Sequence, residues 1–300
     1  MDLSTVLDLV QTALELGLCT SLTVLALFLS YSMLNVCDLS TDGCFTLGAA
    51  VGAMVAVSGH PYLSIFAAMA AGIISGFVTA FLQTKMGIDS LLAGIIVNTG
   101  LYSINMAVMG NSSLVNMNTT ETIYTVVKNA LKGTPFASYY KLLVIVFLSL
   151  FLRTRLGLAI RATGNNPDMV RSSSINPVFT TIVGLCVANA FTALSGCLMT
   201  QSQKSVSIDV GSGMVTVALA SLLIGRAFFG RGKIPLRAVG VVVGSVVFRL
   251  VYTIALRFNI PAYMLKLVSS VIVIIAISGP YLRRQLPIVI KRIRAGRGEA

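Results

Sequence analysis

Apolar runs recur along this chain between short polar breaks, and most approach the length of about twenty residues needed to cross a hydrocarbon layer of roughly 30 Å. The first extends from about Leu9 to Asn35 and ends at the break VCDLSTDG, which carries Asp38 and Asp42. A second runs from Cys44 to Ser58, and the turn Gly59-His60-Pro61 leads to a third, about Tyr62 to Thr84. Lys85-Met86-Gly87 connects this to a fourth, about Ser90 to Met109. The hydrophilic stretch Asn111 to Ser138 precedes a short fifth run, Tyr139 to Leu152. The sixth covers about Val178 to Thr200 and stops at QSQKSVSIDVGSG, which opens a seventh from about Met214 to Ile224. After the basic loop Gly225 to Arg237 come an eighth run, Ala238 to Leu256, and a ninth, Ala262 to Ser278.

This pattern predicts an all-α polytopic membrane protein with about nine transmembrane segments. The second and seventh runs are marginal for a full span, and each follows a break containing Gly and Asp. That is the signature of a discontinuous helix, tolerated where irregular backbone is buried in protein or lines a wet cavity. The two breaks are weakly related. An offset of 167 positions (184 − 17, 209 − 42) places Gly17-Leu18-Cys19 on Gly184-Leu185-Cys186 and Asp42 on Asp209. The expected organisation is a transmembrane domain over 1–282 with an inverted repeat, its halves at about 9–110 and 178–278. A coupling segment at 153–177 separates them, and a basic cytoplasmic tail at 283–300 follows.

The polar segment GLAIRATGNNPDMVRSSSINP, Gly157 to Pro177, interrupts the apolar pattern with two helix starts in close succession. Asn166 is a favourable N-cap, Pro167 suits the first helical position, and Asp168 suits the positive end of the helix dipole. Asn176-Pro177 repeats the signal. A short, rigid, amphipathic helix from Pro167 to Ser173 is therefore expected on one membrane face.

Composition agrees with the apolar pattern: 56% of residues are hydrophobic and 11% charged, too little polar surface to cover a soluble fold of 300 residues. The net charge of +12 is concentrated in three segments. They contain Arg153, Arg155, Arg161 and Arg171; then Arg226, Arg231, Lys233 and Arg237; then Arg283, Arg284, Lys291, Arg292, Arg294 and Arg297. The positive-inside rule accounts for them, placing the N-terminus outside and the C-terminus in the cytoplasm. No nucleic-acid partner is needed, and Trp is absent. The N-terminus carries Asp2 and Asp8 and no basic region, unlike a cleavable signal peptide. Five cysteines lie in or beside apolar runs without C-x-x-C spacing, and His60 is the only histidine. Neither a zinc site nor a His-based catalytic group is expected.

There is no G-x-x-x-x-G-K-[ST] loop, so the chain has no nucleotide site with which to drive transport. Ionisable residues within the spans are scarce. Glu15 and Arg249 fall in the outer halves of their spans and are candidates to pair, while Asp89 and Lys266 sit near span ends and can snorkel. Asp38, Asp42 and Asp209 lie in the breaks, with Asn35 just before the first. Asn98, Asn105 and Asn189 lie within the fourth and sixth runs. Such amides commonly bond one helix to another. The functional alternative is that, with Asn35, Asp38, Asp42 and Asp209, they border a polar translocation path.

From Arg155-Leu156-Gly157 through Ser174-Ile175 the chain resembles the R-x-G-x-x-x-R-A-x-G-x-N-P-x-x-A-x-x-S-G-I element of permease subunits of ATP-binding-cassette importers for branched-chain amino acids and ribose. The resemblance extends to Leu16–Val55, where DLSTDG stands at the family's D-L-S-x-G break, to Thr181–Leu198, and to Ser207–Val246. Within that family the chain is most similar to permeases of the tryptophan/tyrosine type. Arg226 stands where the family usually has Gly, and Ser173-Ser174 replaces a small-Ser-Gly sequence.

The resemblance implies a permease working with a second permease copy as a homodimer, cytosolic ATP-binding cassette ATPase subunits and an extracytoplasmic substrate-binding protein. ATP and Mg would be bound by the partner subunits, with no cofactor in this chain. The Pro167 helix would be the coupling helix, with Gly157, Arg161, Gly164, Asn165, Asn166, Pro167, Asp168 and Arg171 forming the ATPase-coupling element. The cargo implied is a small amino acid, aromatic or branched-chain. The alternatives are a sugar or nucleoside importer of the same architecture, an ion-coupled carrier, and a scaffold without transport.

Overall fold

The computed structural model describes residues 3–118, 120–125, 154–229, 234–257, 264, 267–274 and 278. The fifth apolar run, part of the hydrophilic stretch before it, most of the ninth run's ends and the basic tail lie outside the described residues. The described chain is overwhelmingly helical. Helix α1 (Leu3–Leu27) runs into a π-helical turn (Phe28–Met33). α2 (Thr41–Val57), α3 (Pro61–Thr84) and α4 (Ser90–Val108) follow. Then come α5 (Arg155–Asn165), α6 (Pro167–Ser172), α7 (Pro177–Gln203), α8 (Met214–Phe229) and α9 (Ile234–Arg257). Strand β1 (Leu114–Asn116) pairs antiparallel with β2 (Ser205–Ser207), with Val115 opposite Val206.

Among the described residues, five helical segments are long and apolar enough to cross a membrane: Leu9–Met33, Pro61–Thr84, Ser90–Val108, Pro177–Gln203 and Leu236–Ala255. α2 and α8 are the shorter apolar helices expected beside the breaks. Their bounds differ from the sequence reading in an informative way. α2 begins three residues earlier than Cys44, so Asp42 belongs to its first turn and not to the break.

α1 and α7 form the centre. In their apolar stretches 72% and 78% of residues are buried, against 33% and 28% in α3 and α4. α7 lies against α3, α2 and α1, while α1 also lies against α9, and α8 packs on α9. Backbones approach closely where side chains are small, the usual means of association for helices that gain no hydrophobic driving force from lipid. A methyl group added at Gly48 of α2 would collide with the Ala193 carbonyl of α7. α3 and α4 present Phe66, Ile74, Leu92 and Ile96 outward, as lipid-facing helices do.

Local signals set the helix starts. Pro61 and Pro177 occupy first-turn positions. The Asp89 carboxylate accepts the Leu91 N–H at 2.9 Å, and Asn176 Oδ1 accepts the Val178 N–H at 3.0 Å. At Asn35 the chain takes φ 57°, a left-handed conformation that Asn tolerates, and turns from the π-helical segment towards α2.

Candidate functional site

The two breaks converge. Asp42, in the first turn of α2, accepts the Gly213 N–H at 3.0 Å and the Val215 N–H at 2.8 Å, and so caps the start of α8. The N-termini of the two short helices therefore meet at one carboxylate, where negative charge is stabilised by free amides and helix dipoles. Thr46 Oγ1 accepts the Gly211 N–H at 3.2 Å, and a side chain at Gly211 would strike the Asp42 carbonyl. Only glycine allows that approach.

Beside this junction lies a cavity of about 240 Å³ lined by Asp42, Thr46, Asn98, Tyr102, Asn105 and Asp209, among others. Asn105 is buried; its Nδ2 donates to the Gly43 carbonyl at 3.1 Å, while its Oδ1 has no partner among the described residues. Asp209 is exposed and Asp42 half-buried. The lining is thus rich in acceptors: two carboxylates and a vacant amide oxygen. Such a surface suits a donor-bearing or cationic group.

Asn35, Asp38 and Asn189 do not line this cavity. Asp38 Oδ1 accepts the Ser40 N–H at 2.9 Å and the Ser40 hydroxyl at 2.6 Å, and its Oδ2 accepts Asn189 Nδ2 at 2.9 Å. Both residues are buried, so this pair fastens the connection before α2 to the centre of α7. Asn35 is exposed and serves the turn described above. The Glu15–Arg249 pair suggested by the sequence is not formed. Arg249, on α9, faces Thr20, Met199 and the Tyr252 ring instead, near the C-terminal end of α7.

The second candidate element is α5 with α6. Asn166 Oδ1 accepts the Asp168 and Met169 N–H groups, both at 3.1 Å, and Pro167 fills the first helical position. Val170 is buried, whereas Met169, Asp168 and Arg171 are exposed. Arg171 and Asp168 approach to 4.0 Å at 67% and 89% exposure, too solvated to hold each other firmly. Arg161 and Asn165 are exposed, and Gly157 is buried beneath the Thr154 cap. α5 itself was not expected. Its C-terminal turn rests on the π-helical segment of α1, where a methyl group at Gly164 would collide with the Met33 carbonyl. Thr163 and Thr180 hydroxyls lie 2.7 Å apart and join α5 to α7.

A family described as branched-chain amino acid transport system, permease component, matches residues 10–277. This chain belongs to that family. The tyrosine transport system permease protein of Clostridioides difficile (strain R20291) is 30% identical over 259 residues, 86% of this chain and 86% of the relative. An uncharacterized protein of Rickettsia prowazekii (strain Madrid E) is 31% identical over 278 residues, 91% of this chain and 98% of its own. The ribose import permease protein of Escherichia coli (strain K12) is 25% identical over 248 residues, 80% and 75% of the two chains. No solved structure matches. The chain is thus a multi-pass membrane permease component of an ATP-binding-cassette transport system, as the element from Arg155 to Ile175 suggested.

Gly211 and Ser212 lie within the break Ser207 to Gly213, which with Asp38 to Gly43 is expected from the sequence to border the path. Sequence reasoning did not single out Thr46 or Tyr102, which complete the junction of this permease. These two read as ordinary helix positions until α2, α4 and α8 are brought together.

Proposed function

We propose that this permease is the transmembrane subunit of an importer for a small amino acid, aromatic or branched-chain, driven by ATP hydrolysis in separate cassette subunits. An extracytoplasmic binding protein delivers the cargo, and a second copy of the chain completes the pathway. ATP and Mg belong to the cassette subunits, and this chain performs no catalysis. The C-terminal tail is cytoplasmic, by its basic residues. The 30% identity to the tyrosine system's permease supports the amino-acid cargo. A ribose-type cargo is the second reading, favoured by the 25% identity to the ribose permease.

The observation that carries the mechanism is the stacking of α6, α5, the π-helical turn and the Asp38–Asp42 connection. α6 is capped and exposed; α5 has no room at Gly164 to slide over Met33; and the segment after Met33 leads directly to the junction of α2 and α8. Arg226 Nη2 donates to the Ser32 hydroxyl at 2.6 Å, so the far end of α8 grips the same turn. A rigid push on α6 is thereby delivered to both short helices, which is how a small displacement biases a two-state element. The described helices fall into two long–short–long sets, α1–α2–α3 and α7–α8–α9, and this order supports the inverted repeat.

The test is transport in vesicles containing the permease, its cassette subunits and its binding protein. Replacing Pro167 by Ala together with Arg171 by Glu is expected to lower uptake at least ten-fold while ATP hydrolysis persists without stimulation by the loaded binding protein. Unchanged uptake and unchanged stimulation would overturn the coupling assignment.

A further inference from the structure

A second cavity, about 410 Å³, adjoins the first at Ser212 and lies between α8, α9 and the helical residues 267–274. Its size falls within the range of small-molecule sites, roughly 300–1,000 Å³. Ser212, Thr216, Phe248, Arg249, Tyr252 and Ser269 are among the residues that line it. Arg249 is 7% exposed, and its environment is unusual. Nε reaches the Thr20 hydroxyl only at 3.5 Å, and Nη2 reaches the Met199 thioether at 3.9 Å, a weak acceptor. Thr20 Oγ1 is already within bonding distance of the Leu16 and Gly17 carbonyls. The Tyr252 ring centroid lies 5.6 Å from the guanidinium carbon. Among the described residues no carboxylate stands within ion-pair distance of it.

A guanidinium in a protein interior is ordinarily compensated by an anion that takes its planar fork of donors. Here the counter-charge is absent from the described surroundings, and a cavity of ligand size stands in its place. We infer that Arg249 is the carboxylate-binding residue of the translocation path, and that it selects cargo carrying an α-carboxylate. This rests on the amino-acid reading above and deepens it. The acceptor-rich cavity on the other side of Ser212, with Asp42, Asp209 and the vacant Asn105 Oδ1, offers the complementary surface for an ammonium group. A neutral sugar would leave the guanidinium unpaired, so the same residue discriminates against it.

The experiment uses the complete importer in vesicles of neutral lipid, with Thr216→Cys placing a thiol on the exposed lining of the cavity. Alkylation of that thiol is followed by peptide mass spectrometry with L-tyrosine, L-tyrosinamide or D-ribose present. The inference expects L-tyrosine to slow alkylation at least five-fold and L-tyrosinamide less than two-fold. Arg249→Gln should abolish the difference, and Arg249→Lys should keep part of it. The acid–amide comparison needs no Arg249 variant, so a misfolded substitution does not spare the inference. Equal protection by tyrosine and tyrosinamide, with tyrosine taken up, would overturn the role of Arg249 and leave the amino-acid reading intact. Uptake and protection by D-ribose but not L-tyrosine would overturn both. Protection conferred by phosphatidylglycerol in the vesicles, without added solute, would assign the guanidinium to a lipid phosphate and overturn the inference.

Discussion

Asp42 decides the site at the scale of single residues. Its carboxylate accepts two N–H groups from a segment 171 and 173 positions away, each a charge-assisted bond. Removing it leaves both amides of the α8 start without that partner. Asp42→Ala is therefore expected to destabilise the permease by about 1–3 kcal/mol, and Asp42→Asn by less, as read by chemical unfolding in detergent. Asp209 lines the same cavity but is exposed, so Asp209→Asn should change stability by no more than about 0.5 kcal/mol while lowering uptake. Uptake unaffected by Asp209→Asn would remove that cavity from the path. The sequence marks Asp42 as a residue of consequence, because a carboxylate between apolar runs is costly unless it is used. It does not say that the use is a cap on a distant helix, since nothing local to Asp42 refers to Gly213.

For single elements, legibility follows how local the determining interactions are. α6 ends within one residue of its expected bound because Asn166 and Pro167 supply its start within three positions. Asn166→Ala is expected to cost about 1 kcal/mol of helix stability and, through a looser α6, to reduce uptake per ATP hydrolysed. α5 escaped notice because Gly157 and Gly164 weaken the helical pattern, and the need for Gly164 is tertiary: the Met33 carbonyl beneath it. Gly164→Ala should accordingly lower uptake more than Gly157→Ala lowers it, a comparison made in the same vesicles at matched protein content. The pairing of β1 with β2 was equally unreadable, since three residues at Leu114–Asn116 carry no strand signal apart from their partner at Ser205–Ser207. π-helical geometry at Phe28–Met33 also has no signature in an apolar run.

Across the whole molecule, hydrophobic length gave the membrane class and most helices, because hydrocarbon imposes a minimum apolar run and full backbone pairing. It gave no account of which helices lie at the centre. α1 and α7 are no more apolar than the far less buried α3; their burial comes from being packed on both sides. The Arg249 cavity likewise exists only once α8 and α9 are assembled. What the architecture adds to the proposed coupling is connectivity: the capped helix α6, backed by α5, leads through the π-helical turn after α1 to the meeting point of two short helices. Met169 offers the sharpest probe of that coupling, being an apolar side chain 65% exposed on a helix whose neighbour Val170 is buried. With Met169→Cys in the importer assembled with its cassette subunits, a short bifunctional thiol reagent is expected to join that position to a cassette subunit. The yield should change between the nucleotide-free and ATP-bound states. A thiol at this position that never crosslinks to a nucleotide-hydrolysing subunit, and that reacts with an impermeant maleimide from the extracytoplasmic side of intact cells, would contradict it.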